Sequence, residues 1–209
     1  GYGNNYFWLS WDNEGHSFNF GSTYGLNNLP QYSITLGNID TGHIGDYSII
    51  AGERAQGSAN SIVFGYNAQA VNGNSIVFGN NTSAAANGII IGSGAKTWNT
   101  NGIAIGAASA DTAAALAGDK YSIAIGTGSE TNQGGNGNIA IGYKAQNASG
   151  SDAIALGAFS KSDWRLNAGQ QGYAPWEGSN TGNVNNSNFK DSLDSAAWKS
   201  TQGGLSIGD

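Results

Sequence analysis

The 209-residue chain has no cysteine, no methionine, only two prolines and few charged residues, and each scarcity narrows the class of protein. Without cysteine, neither disulfides nor thiolate metal sites can hold the fold. No apolar run approaches the ~18 residues of a membrane-spanning helix, so any signal peptide or membrane anchor is expected outside this sequence. Missing methionine suggests an internal fragment or a processed product. Charged residues are 11% and the formal net charge is −6, which leaves no basic patch for nucleic acid.

Glycine is abundant instead, at 34 residues, roughly twice its ordinary frequency. It closes a recurring motif of the form small–Ile–x–apolar–Gly, as in Ser61-Ile62-Val63-Phe64-Gly65. Successive motif glycines lie 13 to 16 residues apart, except for intervals of 20 and 51 residues. The copies end at Gly37, Gly52, Gly65, Gly79, Gly92, Gly106, Gly126, Gly142, Gly157 and Gly208. Such a period predicts a solenoid.

Each repeat predicts two short strands. The motif is rich in β-branched residues, as strands are. A small residue follows three positions after most motif glycines and a polar one four positions after, as in Ala68-Gln69. That alternation predicts a second strand with a polar outer face. The sequence therefore predicts an all-β protein of about ten two-strand coils, each of about 14 residues. Residues 107–121 lengthen one coil by about six residues.

The period of two in a strand separates the motif positions into two faces. The first and third positions are large and apolar, and we expect them to fill the coil core. These residues are Ile49, Ile62, Phe64, Ile76, Phe78, Ile89, Ile91, Ile103, Ile105, Ile123, Ile125, Ile139, Ile141, Ile154 and Leu156. The middle position is also apolar but points the other way, so we expect it at an interface between subunits. The predicted interface residues are Ile50, Val63, Val77, Ile90, Ala104, Ala124, Ala140 and Ala155.

The polar second strand and its turns are the predicted ligand-binding surface. Its candidate contact residues are Arg54, Gln69, Lys96, Trp98, Lys144 and Lys161. We predict no catalytic residues, no metal site and no cofactor, because the only histidines are His16 and His43 and neither lies near a candidate nucleophile.

The sequence divides into four predicted segments. Residues 1–30 are dense in aromatic side chains and are expected to cap the solenoid. Residues 31–160 carry the head repeats, residues 161–203 form an insertion, and residues 204–209 form a final repeat that leads toward a neck outside the sequence.

The motif spelling resembles the N-S-V-A-I-G repeats of the YadA-like heads of trimeric autotransporter adhesins. The resemblance rests on Asn60-Ser61-Ile62-Val63-Phe64-Gly65, Asn74-Ser75-Ile76-Val77-Phe78-Gly79 and Asn138-Ile139-Ala140-Ile141-Gly142. It implies a left-handed parallel β-roll, a homotrimer, type V secretion and an outer-membrane anchor on a Gram-negative cell surface. It also implies a role in virulence through attachment to host matrix proteins, cell-surface receptors, glycans or other bacteria.

Two other classes remain as alternatives. An enzyme built on a β-helix is disfavoured because hexapeptide acyltransferases repeat every six residues and use a histidine base. A trimeric phage tail fibre would have the same physical properties, and only the motif spelling favours the adhesin.

Overall fold

The computed structural model describes residues 8–12, 16–21, 23–24, 31–40, 44–131, 135–147, 151–162 and 205–207. Within them every regular element is a β-strand. The strands are β1 (Trp8–Asp12), β2 (Ser17–Gly21), β3 (Thr23–Tyr24), β4 (Ile34–Leu36), β5 (Ile39–Asp40), β6 (Ile49–Ala51), β7 (Gln56–Gly57), β8 (Ile62–Phe64), β9 (Gln69–Ala70), β10 (Ile76–Phe78), β11 (Ser83–Ala84), β12 (Ile89–Ile91), β13 (Lys96–Thr97), β14 (Ile103–Ile105), β15 (Leu116–Ala117), β16 (Ile123–Ile125), β17 (Glu130–Thr131), β18 (Ile139–Ile141), β19 (Gln146–Asn147), β20 (Ile154–Leu156), β21 (Lys161–Ser162) and β22 (Leu205–Ile207).

The strands form two long sheets that run along one solenoid. The motif strands make a 12-stranded sheet, here called the first sheet, in the order β1-β2-β4-β6-β8-β10-β12-β14-β16-β18-β20-β22. The second strands make an eight-stranded sheet, the second sheet, from β7 to β21. Every pairing in both is parallel except the β1–β2 hairpin. The fold is thus the expected all-β parallel solenoid, with about eight complete coils and not ten, because the second sheet has eight strands.

The register keeps equivalent motif positions side by side. Val63 pairs with Val77, and Val77 with Ile90, so each motif position forms a straight column along the solenoid. β2 already pairs in parallel with β4, so the first sheet begins inside the segment predicted as a cap. β22 pairs with β20, which brings residues 205–207 back onto the same sheet. The insertion predicted at 161–203 lies outside the described residues from position 163 onward.

The prediction of which face of the motif strand lies inside the coil was wrong. The predicted interface column is the interior of the coil: Ile50, Val63, Val77, Ile90, Ala104, Ala124, Ala140 and Ala155 all have 0% exposure. The predicted core residues lie on the outside, where each is half-buried or exposed. They are Ile49, Ile62, Phe64, Ile76, Phe78, Ile89, Ile91, Ile103, Ile105, Ile123, Ile125, Ile139, Ile141, Ile154 and Leu156.

The narrow interior explains the inversion. Each motif strand from β4 to β20 has three residues, of which only the middle one points inward. The strand that faces it contributes one buried residue, such as Gly57, Ala70 or Thr97. Two side chains of isoleucine size cannot meet across such a gap, because protein interiors are already close-packed. The bulky first and third residues are therefore left outside.

Serine completes the interior at the start of the motif strands. Ser61 and Ser75 are buried and share the inward face with Val63 and Val77. Their hydroxyls bond the backbone, as Ser75 Oγ donates to the carbonyl of Ala85 at 2.9 Å. Buried hydroxyls need such partners, and the return turns supply them.

The lengthened coil agrees with its prediction. β15 begins ten residues after Gly106, whereas β9 begins four residues after Gly65, so six residues are added. The lengthened turn after the motif strand forms a loop over residues 107–114. Thr112 and Ser109 close this loop through an antiparallel bridge.

Candidate functional site

The outer face of the first sheet is a continuous apolar surface, here called the apolar face. It consists of the first and third motif residues of β4 to β20, which the parallel register aligns in two columns. Ile76, Phe78 and Ile91 are 38%, 41% and 45% exposed. The rings of Phe64 and Phe78 stack in parallel with centroids 5.1 Å apart. Contiguous exposed apolar patches are typical of surfaces that bind other molecules.

The outer face of the second sheet, here called the polar face, holds three of the six predicted ligand-binding residues. Gln69 on β9, Ser83 on β11 and Lys96 on β13 are successive register partners, so Gln69 and Lys96 lie two coils apart. Lys161 on β21 pairs with Gln146, far along the same face.

The other three predicted residues lie outside the strands. Trp98 directly follows β13 and is 50% exposed. Arg54 and Lys144 occupy the turns that follow the motif glycines, at the edge between the two sheets, here called the glycine edge. The six residues are therefore spread along the solenoid and do not form a single cluster.

Three aromatic side chains stack near the N-terminal end, on the opposite edge. The rings of His16, Tyr32 and Tyr47 are nearly parallel, with successive centroids 5.1 Å apart. Their ring faces are turned toward one another, so this ladder stabilises the first coils by stacking.

Lys144 is the predicted residue that the structure combines with others into a built cluster. Its ammonium lies 5.1 Å from the ring centroid of Tyr143 and 5.9 Å from that of Phe159. The two rings meet edge to face, at 87° and 5.2 Å between centroids. Thr112, in the 107–114 loop, bonds the Tyr143 hydroxyl at 3.2 Å. We call Thr112, Tyr143, Lys144 and Phe159 the aromatic corner.

Hydrogen bonding changes the acidity of the corner. The side-chain hydrogen bond with Thr112, followed by that with Lys144, lowers the pKa of Tyr143 below its ordinary value of 10.0, while burial acts in the opposite direction. Sequence reasoning identified Lys144 but missed Tyr143, Phe159 and Thr112. The available signal was that Phe159 is a large apolar residue at a turn position where other coils carry polar or small residues: Arg54, Asn67, Asn81, Gly94, Ala108, Gly128 and Lys144.

Two other kinds of feature are absent from the described residues. None of their His, Asp and Glu side chains gather in groups of three or more that could hold a metal ion. No helix among them is long and apolar enough to cross a membrane.

Comparison with known proteins agrees with this geometry. Residues 58–89, 117–145 and 135–160 match the family model of the YadA head domain repeat. No curated protein matches the chain. The family match and the parallel solenoid together fit a YadA-like head domain, which belongs to the trimeric autotransporter adhesins and not to an enzyme family.

Proposed function

We propose that three copies of this chain form the head of a cell-surface adhesin and that the apolar face is the interface between the subunits. The single observation that carries the proposal is the unbroken outward column of isoleucines from Ile34 on β4 to Ile154 on β20, on a solenoid that matches the family model. The column equivalent to Ile62 runs through Ile76, Ile89 and Ile103 without interruption. Association removes such a surface from water, which stabilises the assembly by about 25 cal/mol per Å² of apolar area buried.

The polar face and both turn edges then remain in water and are the surfaces for attachment. Gln69, Lys96, Trp98 and Lys161 lie on or beside the polar face, where three symmetric copies would be presented around one rod. Weak contacts repeated around the rod, and across many rods on one cell, give strong attachment without a deep pocket. A host matrix protein, a cell-surface receptor, a glycan or another bacterial cell fits this mode. The head would be anchored to the outer membrane through a region outside these residues, as in type V secretion.

Light scattering tests the assembly. The purified chain should have a mass of about three times its 21.3 kDa at high protein concentration. Cross-linking of a dilution series should trap the trimer before it dissociates. A folded chain that stays at 21.3 kDa throughout would overturn the interface assignment.

A bead assay tests attachment. Beads coated with the chain should bind to mammalian cells or immobilised matrix, and soluble chain should compete. Beads coated with heat-unfolded chain provide the control. Equal binding of the folded and unfolded coatings would contradict an adhesive role for the head.

A further inference from the structure

The aromatic corner contains a side chain that neither the fold nor the subunit interface explains. Phe159 has a φ of +58° and is 65% exposed. A left-handed backbone is costly for a bulky residue, because its Cβ crowds the following carbonyl oxygen. The equivalent turn position has the same conformation in other coils, and Phe159 is the aromatic residue among those found there: Arg54, Asn67, Asn81, Lys144 and Phe159. The chain therefore holds a phenyl ring in water at a strained position, which points to a role in binding.

Lys144 is held beside that ring by its neighbours. Its own φ is +55°, and it lies between Phe159 and the space over Gly128. A Cβ on Gly128 would lie 3.0 Å from Lys144 Cγ and 2.6 Å from Thr112 Cγ2, so the glycine makes room for both side chains. The lysine stem is thereby packed while its ammonium stays at the aromatic corner.

The charge of Lys144 has no carboxylate partner among the described residues. The recorded neighbours of its side chain are the Tyr143 and Phe159 rings and the Tyr143 hydroxyl. The chain as a whole carries a net charge of −6, and the Lys144 ammonium lies beside two aromatic rings and not beside an acidic side chain. The corner is therefore ready for an anionic group from another molecule.

We propose that the aromatic corner binds a saccharide that carries a carboxylate. The acid group pairs with the Lys144 ammonium and accepts a hydrogen bond from the Tyr143 hydroxyl. The apolar face of the sugar ring lies on the exposed ring of Phe159, since aromatic faces provide rigid apolar area. Thr112 positions the Tyr143 hydroxyl. An acidic peptide would provide the charge but no flat apolar ring to cover Phe159.

This inference rests on the proposed adhesin function and adds a ligand class to it. A trimer would present three such corners, so a weak single-site affinity would be multiplied on a glycan-coated cell.

Saturation-transfer NMR with two matched sugars tests the site on the intact chain. Methyl β-D-glucuronide should bind, and methyl β-D-glucoside, which replaces the carboxylate by a hydroxymethyl group, should bind at least about tenfold more weakly, the effect of one charge-assisted hydrogen bond. Acetate alone should compete poorly, because it lacks the ring. Equal binding of the two sugars, or no binding of either, would overturn the proposal.

Two variants locate the binding. Phe159→Asn should abolish detectable glucuronide binding and should also raise the melting temperature, by roughly 2–4 °C, because asparagine relieves the left-handed strain. A structural ring would instead make that variant less stable. Lys144→Asn should weaken binding by about tenfold. Lys120→Asn makes the same charge change on the opposite edge and should leave binding unchanged. Unaltered binding by Phe159→Asn, or equal losses from both lysine variants, would contradict the site.

The bead assay separates this inference from the adhesin proposal. If coated beads bind cells but the chain does not bind glucuronide, the sugar site is wrong and the adhesin proposal stands. Glucuronide binding without attachment of beads to any cell would retain the site and count against the adhesin.

Discussion

The side chain of Ile50 occupies the space that a Cβ atom on Gly57 would need. Such an atom would lie 2.7 Å from Ile50 Cδ1 and 3.3 Å from Val63 Cγ2. One coil later Ala70 takes the equivalent position, where the motif residues Val63 and Val77 are smaller than isoleucine. In these two coils the larger first-sheet residue is thus matched by the smaller second-sheet residue.

Gly57→Ala should therefore destabilise the solenoid through overpacking, by about 1–3 kcal/mol. Ile50→Val should recover most of that loss when combined with it, because the pair then reproduces the valine–alanine–valine arrangement around Ala70. Chemical denaturation of the two single variants and the double variant measures the coupling. Additive effects in this cycle would show that the two side chains do not compete for space.

The repeat, the two-strand coil and the parallel stacking could be predicted because a glycine at intervals of 13 to 16 residues allows few other folds. The choice of inner face could not be made from hydrophobicity, since both faces of the motif strand are apolar. Ser61 offered a usable signal. It lies two residues before Val63 and so points to the same face of the strand, and small residues suit a narrow interior. The aromatic corner depends on Thr112, which approaches Tyr143 from a loop 31 residues away and could not be placed by periodicity.

Adjacent substitutions on β10 should separate folding from assembly. Val77 is buried with 0% exposure and Phe78 is 41% exposed on the apolar face. Val77→Asp should lower stability by several kcal/mol, because it buries an unpaired charge. Phe78→Asp should keep the strand signal in circular dichroism but reduce the trimer to monomer.

Light scattering and thermal unfolding of the two variants provide the comparison. Phe78→Ala is the milder control and should weaken the trimer without a charge. A trimer of normal stability from Phe78→Asp would show that the apolar face is not the interface.

Loss of the Thr112 hydroxyl should raise the pKa of Tyr143. The hydrogen bond with Thr112 is the largest cause of the lowered pKa, and Thr112→Val removes it while keeping the shape. Because the folded-state pKa is lowered, the bond stabilises the folded protein most above the ordinary tyrosine pKa, and this contribution is lost as the pH falls through the folded value. The unfolding free energies of wild type and Thr112→Val should therefore differ more at strongly alkaline pH than at neutral pH.

Ultraviolet absorbance titration checks this pKa directly. Subtracting the titration of Tyr143→Phe from that of the wild type isolates the single phenol among nine tyrosines. The same subtraction in the Thr112→Val background should give a higher midpoint. Identical midpoints would mean that the Thr112 hydroxyl does not bond the phenolate.

A buried carboxylate holds together the coil after the 107–114 loop. Asp119 has 0% exposure, and its two oxygens accept from the backbone N–H of Gly135 at 2.8 Å and from Asn138 Nδ2 at 2.7 Å. The Asn138 carbonyl oxygen in turn accepts from the N–H of Ala153 at 2.9 Å. These hydrogen bonds link three successive coils. Asp119 can only accept, and the Asn138 amide must donate to Asp119 and accept from Ala153.

Exchanging the two residues tests that direction. Asp119→Asn should cost about 1–3 kcal/mol, because an amide NH₂ then faces a donor. Asn138→Asp should cost at least as much, since it sets two carboxylates against each other. The double exchange restores every pairing, with the amide of the first position donating to the carboxylate of the second, and should recover most of the stability. Denaturation of the four proteins at neutral pH measures this coupling, and a double variant as unstable as the sum of the single ones would rule out the pairing.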